Sequence, residues 1–213
     1  MFKNPTPKYL PGFDASDHSY TNDAGVEIPS ASFLLSHFGI SNFDKARSDV
    51  LERACNFGTV VHQTCELIDN GSFDGLEKRN PEWMEKYYPK VQGHCDQWEK
   101  FKDDYNIKEF QIIEQPMYSK VWSFAGTMDR YGDGVVWDLK TGAESVAHSL
   151  QTALYQILIQ ENYKEKVKKR CCVYLKNDSY TVKEYKDKSD LSIAKSLCQI
   201  HNFKKNNKIN MEK

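Results

Sequence analysis

Residues 121–155 read VWSFAGTMDR YGDGVVWDLK TGAESVAHSL QTALY, and the fold turns on how this stretch is parsed. Val121 to Arg130 has the composition of a strand and carries Gly126-Thr127-Met128-Asp129. Tyr131-Gly132-Asp133-Gly134 reads as a short turn, after which Val135-Val136-Trp137 resumes an extended run into Asp138-Leu139-Lys140. Two apolar runs about a tight glycine-containing turn predict a β-hairpin. In a hairpin centred there, Asp129 and Asp138 stand nearly opposite each other. Their carboxylates can then converge on one hard cation, which takes oxygen ligands. Lys140 lies two residues beyond Asp138 and leaves the strand on the same face. Two acids and a lysine so placed suit hydrolysis of a phosphodiester: the acids hold a metal, and the lysine holds or activates water and offsets transition-state charge.

Working downstream, Glu144 to Glu161 has a helical period, with Val146, Leu150, Ala153, Leu154, Ile157 and Leu158 on its buried face. Gln151 and Tyr155 sit one turn apart on it. Strands over 170–176 and 180–185 flank an Asn177-Asp178-Ser179 turn, a helix follows from Leu191 to Phe203, and a basic, Asn-rich tail runs from Lys204 to Lys213. Working upstream, Lys108 to Ser119 reads as a strand with Phe110 and Ile112 on one face. Glu114 on that strand is either a metal or supporting carboxylate or a solvated residue. A helix from Pro81 to Asp104 carries the stripe Trp83, Tyr87, Val91, Cys95, Trp98 and Phe101, read as core. Residues 72–80 are a polar loop.

Asp44 to Asp69 is helical in pattern, with Val50, Leu51, Ala54, Phe57, Val61, Cys65 and Ile68 recurring at three- and four-residue steps. Gly58-Thr59 is expected to bend or divide it. His62 and Glu66, four apart, share a face. A lone helical histidine is usually a surface or core residue; with the downstream acids it becomes a candidate ligand. Ahead of this, Ser32 to His37 is a short helix closed by Gly39. Ser30 there is a candidate N-cap, and Ser30 with Ser32 could instead grip a phosphate. Residues 1–29 read as extended structure, with Asn22-Asp23-Ala24-Gly25 turning a hairpin between His18-Ser19-Tyr20 and Val26-Glu27-Ile28.

Composition sets bounds. The chain has 213 residues, 39% apolar and 28% charged, which fits one soluble globular domain. It has no apolar run of about 18 residues to span a membrane, and Met1 to Gly12 lacks the apolar core of a signal peptide. The six cysteines show no C-x-x-C spacing, so reduced, partly buried thiols in an intracellular, cytoplasmic setting are expected rather than a disulfide framework. The net charge of −1 gives no global attraction to nucleic acid, so any DNA-binding surface must be local. The basic runs 164–170 and 204–208 are either such a surface or a solvated face.

The set Gly58 to His62, Gly126 to Asp129, Asp138 to Lys140 and Gln151 to Tyr155 resembles the G-x-x-x-H, G-x-x-D, D/E-x-K and Q-x-x-x-Y motifs of the RecB-like branch of the PD-(D/E)XK nuclease superfamily, in that order. The Pro29-Ser30-Ala31-Ser32 opening is similar to the Pro-Ser-Val-Thr segment of phage exonucleases and the mitochondrial genome maintenance exonuclease. Ala31 and Ser32 stand here where Val and Thr are usual. The resemblance implies an α/β, restriction-endonuclease-like core: a central mixed β-sheet flanked by helices, with an N-terminal helical extension. It implies an Mg²⁺- or Mn²⁺-dependent deoxyribonuclease, an exonuclease on single-stranded DNA or DNA ends, in a bacterial or phage-infected cell. His62, Asp129, Asp138 and the Leu139 carbonyl would bind the metal, and Lys140 would orient and help deprotonate water. Gln151 and Tyr155 would position the DNA strand or hold Lys140, Ser30 and Ser32 would contact DNA, and Glu66 and Glu114 would support the metal site.

Three rivals share parts of this pattern. A CRISPR-adaptation nuclease of the branch holds an iron–sulfur cluster on four cysteines. Cys171 and Cys172 are adjacent on a strand and point to opposite faces, so no cluster is expected. A site-specific endonuclease of the same fold, or an inactive nucleic-acid-binding protein, would also share the elements. The intact Asp129, Asp138 and Lys140 argue against the last. Trp122, Trp137 and Tyr131 are near enough to stack on bases, though strand alternation favours packing.

Overall fold

A computed structural model describes residues 4–14, 19–41 and 48–209. His18, the start of the helix at Asp44, the side chains of Val50 and Leu51, and the tail beyond Ile209 lie outside the described residues. The chain opens with three short strands, β1 (Gly12–Asp14), β2 (Ser19–Thr21) and β3 (Glu27–Ile28), paired antiparallel in that order. Asn22 holds the β2–β3 turn, its side-chain oxygen accepting from the N–H groups of Ala24 and Val26. Helices follow: α1 (Ala31–His37), α2 (Ser48–Asp69), α3 (Leu76–Arg79), α4 (Pro81–Lys86) and α5 (Tyr88–Asp104). Then come β4 (Ile112–Ser119), β5 (Phe124–Gly132), β6 (Val135–Lys140), α6 (Val146–Tyr163), β7 (Lys169–Leu175), β8 (Tyr180–Glu184) and α7 (Ser189–Asn206).

The last five strands form one mixed sheet in chain order, antiparallel throughout except for β6 and β7, which α6 joins as a parallel crossover. Helices cover both faces. On one, Leu34, Leu154, Leu158 and Leu197 from α1, α6 and α7 pack on Phe124, Met128 and Val136. On the other, Val61, Val91, Trp98 and Phe101 from α2 and α5 pack on Leu139, Trp137 and Val173. This is the mixed α/β sheet flanked by helices that the sequence implies. The outer edge of β4 is occupied by the N-terminal segment: the Asn4 side chain bonds both the N–H and the carbonyl of Ile113, and the Tyr9 carbonyl accepts from Tyr118.

Several boundaries differ from the sequence reading, each for a local reason. The strand expected from Val121 starts at Phe124, because Glu161 of α6 collects the N–H groups of Lys120 and Val121 and the Ser119 hydroxyl, so the chain turns there. At its other end it keeps Tyr131 and Gly132, and the turn to β6 is only Asp133-Gly134. Both take positive φ (54° and 83°), the type I′ geometry that matches strand twist. Gly58-Thr59 does not interrupt α2. The glycine instead lets the helix lie against the loop after β6, where an added Cβ would sit 3.4 Å from the Thr141 hydroxyl. The helix expected from Pro81 is divided at Tyr87, since Pro89 has no N–H to continue α4. A short helix, α3, occupies part of the polar loop 72–80. Phe110 precedes β4 and stacks on Trp98, while Ile112 faces the opposite layer.

Gly134 is the residue the hairpin cannot replace. Gly134→Ala, with φ at 83° and the Lys168 side chain in the way, is expected to destabilise the protein by about 1–2 kcal/mol in urea unfolding.

Candidate active site

The site forms where two strands lose their regular pleat at one level. On β4, Ile113 faces the α2–α5 layer and Met117 faces the α6 layer, although strict alternation would put both on one side. The reversal falls at Glu114, whose φ of 43° is in the left-handed region. On β5, Met128 faces the α6 layer, while Arg130 reaches Asp69 on α2, so alternation reverses at Asp129. The flanking pairs Ile113↔Arg130 and Gln115↔Met128 put Glu114 opposite Asp129. The β5–β6 ladder ends one step short of Asp129 and Asp138, at Arg130↔Trp137. There the Leu139 N–H donates to Asp129 Oδ2 instead, at 2.8 Å.

Into this opening α2 directs His62. Its Nδ1 lies 3.4 Å from Glu114 Oε1 and 3.7 Å from Asp129 Oδ2, and its Nε2 lies 3.2 Å from the Leu139 carbonyl oxygen. Ligand atoms of His62, Glu114 and Asp129 all fall within 4.8 Å of one another. One turn on, Glu66 is half-buried; burial first, then the Glu114 charge, holds its carboxyl above the ordinary range. On the other side of the sheet Lys140 Nζ pairs with Asp138 Oδ2 at 2.6 Å, and that oxygen also takes the Cys172 thiol at 3.1 Å. Asp138 Oδ1 is buried and has no partner among the described residues.

The charges are crowded. Burial lifts the Asp129 carboxyl to about 7: His62 and Lys140 pull it down, but the Asp138 and Glu114 charges push it up. Burial opposes the charge on His62, yet Asp129 and Glu114 outweigh it and hold the imidazole above its ordinary value. Burial works against Lys140 in the same way, and Asp138 and Asp129 more than reverse it, so the amine stays an ammonium. A divalent ion fits such a place. It would relieve the mutual repulsion of the carboxylates, with His62, Glu114 and Asp129 close enough together to hold it and one buried oxygen of Asp138 without another partner among the described residues.

A comparison of sequence families matches the model of the PD-(D/E)XK nuclease superfamily to residues 30–199. The chain belongs to that superfamily. A search of curated proteins found no match. Nucleases of the PD-(D/E)XK superfamily use divalent metals, and the matched span runs from Ser30, through the whole five-stranded sheet, into α7. Among the described residues, no helix is long and apolar enough to cross a membrane.

The remaining candidates take varied positions. The Gln151 side-chain amide donates to the Tyr155 hydroxyl at 3.0 Å. Tyr155 is buried, with its ring against Gly126, where a Cβ would come within 3.2 Å of it. The Ser30 hydroxyl accepts from the Phe33 N–H at 2.9 Å and so caps α1, and Ser32 is exposed on the first turn. Tyr131 and Trp137 are buried in the two core layers, and Trp122 is half-buried under the Lys195 ammonium. All six cysteines are free thiols, and Cys171 and Cys172 do face opposite sides of β7.

Arg130, which the sequence reading passes over, underlies the site. It is completely buried, stacks near Trp98, and donates to Asp69 at 2.7 Å, to Glu114 at 2.8 Å and to the Asp129 carbonyl at 2.7 Å. Asp69 also takes the Lys102 ammonium at 2.7 Å and the Trp98 indole N–H at 3.1 Å. An arginine inside an otherwise apolar strand, beside an aspartate, was the available signal. Removing one member of a buried ion network strands the others, so Arg130→Met is expected to cost about 3 kcal/mol of stability, read from denaturant unfolding.

Proposed function

We propose that this protein is an Mg²⁺- or Mn²⁺-dependent deoxyribonuclease of the RecB-like branch, acting as an exonuclease on single-stranded DNA or on DNA ends. The observation that carries the reading is the convergence of His62, Glu114, Asp129 and the Leu139 carbonyl beside an Asp138 carboxylate with one uncommitted oxygen. His62, Asp129, Asp138 and the Leu139 carbonyl would hold the metal. Glu114 faces His62 Nδ1, so Nε2, which meets the Leu139 carbonyl in the structure, would be the nitrogen turned to the metal in a carboxylate–histidine–metal arrangement. A bound divalent ion lowers the pKa of a water and polarises the scissile phosphate.

Lys140 is an ammonium in its pair with Asp138. In that form it has no lone pair to accept a proton, so this geometry favours orienting the attacking water and stabilising developing negative charge. Gln151 and Tyr155, bonded to each other beside the acids, would set the edge of the strand's path.

The DNA path has support in a cleft of about 650 Å³ lined by Tyr20, Ile28, Ser30, Phe33, His201 and Lys205. One wall of the cleft is tied to the acid-bearing strand: the Tyr20 hydroxyl bonds Thr127, two residues before Asp129, at 2.9 Å. Its exposed Phe33 ring and the Lys205 ammonium offer a stacking surface and a phosphate partner, which suit unpaired bases.

Asp138→Ala and Lys140→Ala should each lower metal-dependent degradation of end-labelled DNA about 100-fold or more, with unchanged circular dichroism. Activity in EDTA, or undiminished activity in both variants, defeats the assignment; degradation of closed circular DNA as fast as linear DNA defeats the exonuclease part. Phe33→Ala should weaken single-stranded DNA binding about fivefold or more and leave duplex binding nearly unchanged, as read by fluorescence anisotropy in Ca²⁺.

A further inference from the structure

The Asp138 carboxylate is restrained through one oxygen only. Oδ2 takes the Lys140 ammonium at 2.6 Å and the Cys172 thiol at 3.1 Å, while Oδ1 stays buried and unpartnered among the described residues. The thiol reaches this place through strand pairing. β6 and β7 run parallel with Asp138 beside Cys172 and Lys140 beside Tyr174, so these side chains leave the sheet as neighbours on one face. Cys172 is itself fully buried. Alongside it the Tyr174 and Tyr185 hydroxyls bond each other at 2.7 Å, and His148 Nδ1 bonds Tyr174 at 2.8 Å. The thiol therefore sits between the acid and a fixed polar cluster.

We propose that Cys172 is a positioning residue of the metal site: its S–H holds Asp138 Oδ2 so that Oδ1 is presented to the cation. The inference rests on the reading of Asp138 as a metal ligand. An aspartate carboxylate turns easily about its last side-chain bond. Lys140 restrains it from a flexible four-carbon stem, and in the proposed reaction that ammonium turns toward water. The donor that remains is the one fixed on the neighbouring strand. Groups that orient a metal ligand commonly change metal affinity about 10- to 100-fold when removed.

The test is a Mn²⁺ titration of the purified full chain, reading free Mn²⁺ by its paramagnetic resonance, with no DNA present. Cys172→Ser keeps a donor and loses some volume; Cys172→Val fills the volume and has no donor. Positioning predicts that Cys172→Val binds Mn²⁺ about tenfold or more weakly and that Cys172→Ser stays closer to the parent, whatever the order of their melting temperatures. A packing role predicts the reverse order. Parent-like affinity in Cys172→Val, or equal losses in both variants, overturns the proposal. Cys172→Ala takes the place of the valine variant if that one does not fold. Asp138→Asn separates the two readings: unchanged Mn²⁺ affinity there removes the ligand assignment itself, whereas its loss alongside normal binding in Cys172→Val removes only the part given to the thiol.

Discussion

The guanidinium of Arg130 is the interaction on which the rest of this structure depends. It lies inside the protein, between β4, β5, α2 and α5, and binds Asp69 on one side and Glu114 on the other. A lone buried cation would be costly, and so would either buried acid alone. Together they neutralise one another and tie four elements to one point. Burial by itself would raise the Glu114 carboxyl, but His62 and Arg130 outweigh it and keep the acid ionised. The charge that faces His62 is thus set from beneath, by a residue that never reaches solvent.

The same point is where the backbone departs from regular geometry. Glu114 adopts a φ that a side-chain-bearing residue ordinarily avoids, and the strand opposite reverses its alternation at Asp129. Regular strands would have left these two acids on a pleat governed by parity alone. The irregularity brings both to the histidine of α2 and frees the Leu139 amide for a carboxylate. Strain in the backbone and crowding of like charge therefore coincide, and both are held by the same buried arginine.

Much of this was legible in the residues. The glycine-containing turn over residues 131–134 marked the hairpin, and the apolar periods of α2, α5 and α6 pointed to much of their buried faces, although Val146 and Ala54 are exposed and Trp83 and Tyr87, ahead of α5, are only half-buried. The spacing of Asp138 and Lys140 foretold a shared face, which their ion pair bears out. What was not legible depended on partners distant in the chain. The start of β5 is decided by Glu161, more than thirty positions later, and no local pattern at Val121 reveals it. Glu114 looked more like a solvated strand residue than a site acid, because its environment is made by Arg130 and His62. Gly58 reads as a breaker in isolation, but its small size serves an approach to Thr141 that only the folded sheet creates.

The N-terminal segment has a consequence of its own. By spending the Asn4 amide on Ile113 and the Tyr9 carbonyl on Tyr118, it covers backbone groups that the first strand of the large sheet would otherwise hold out to any passing chain. Trimming the protein through Tyr9 would bare that ribbon next to a sheet of apolar strands, and molecules could then stack edge to edge into aggregates. Protection of that edge is thus built into residues far along the chain from the acids.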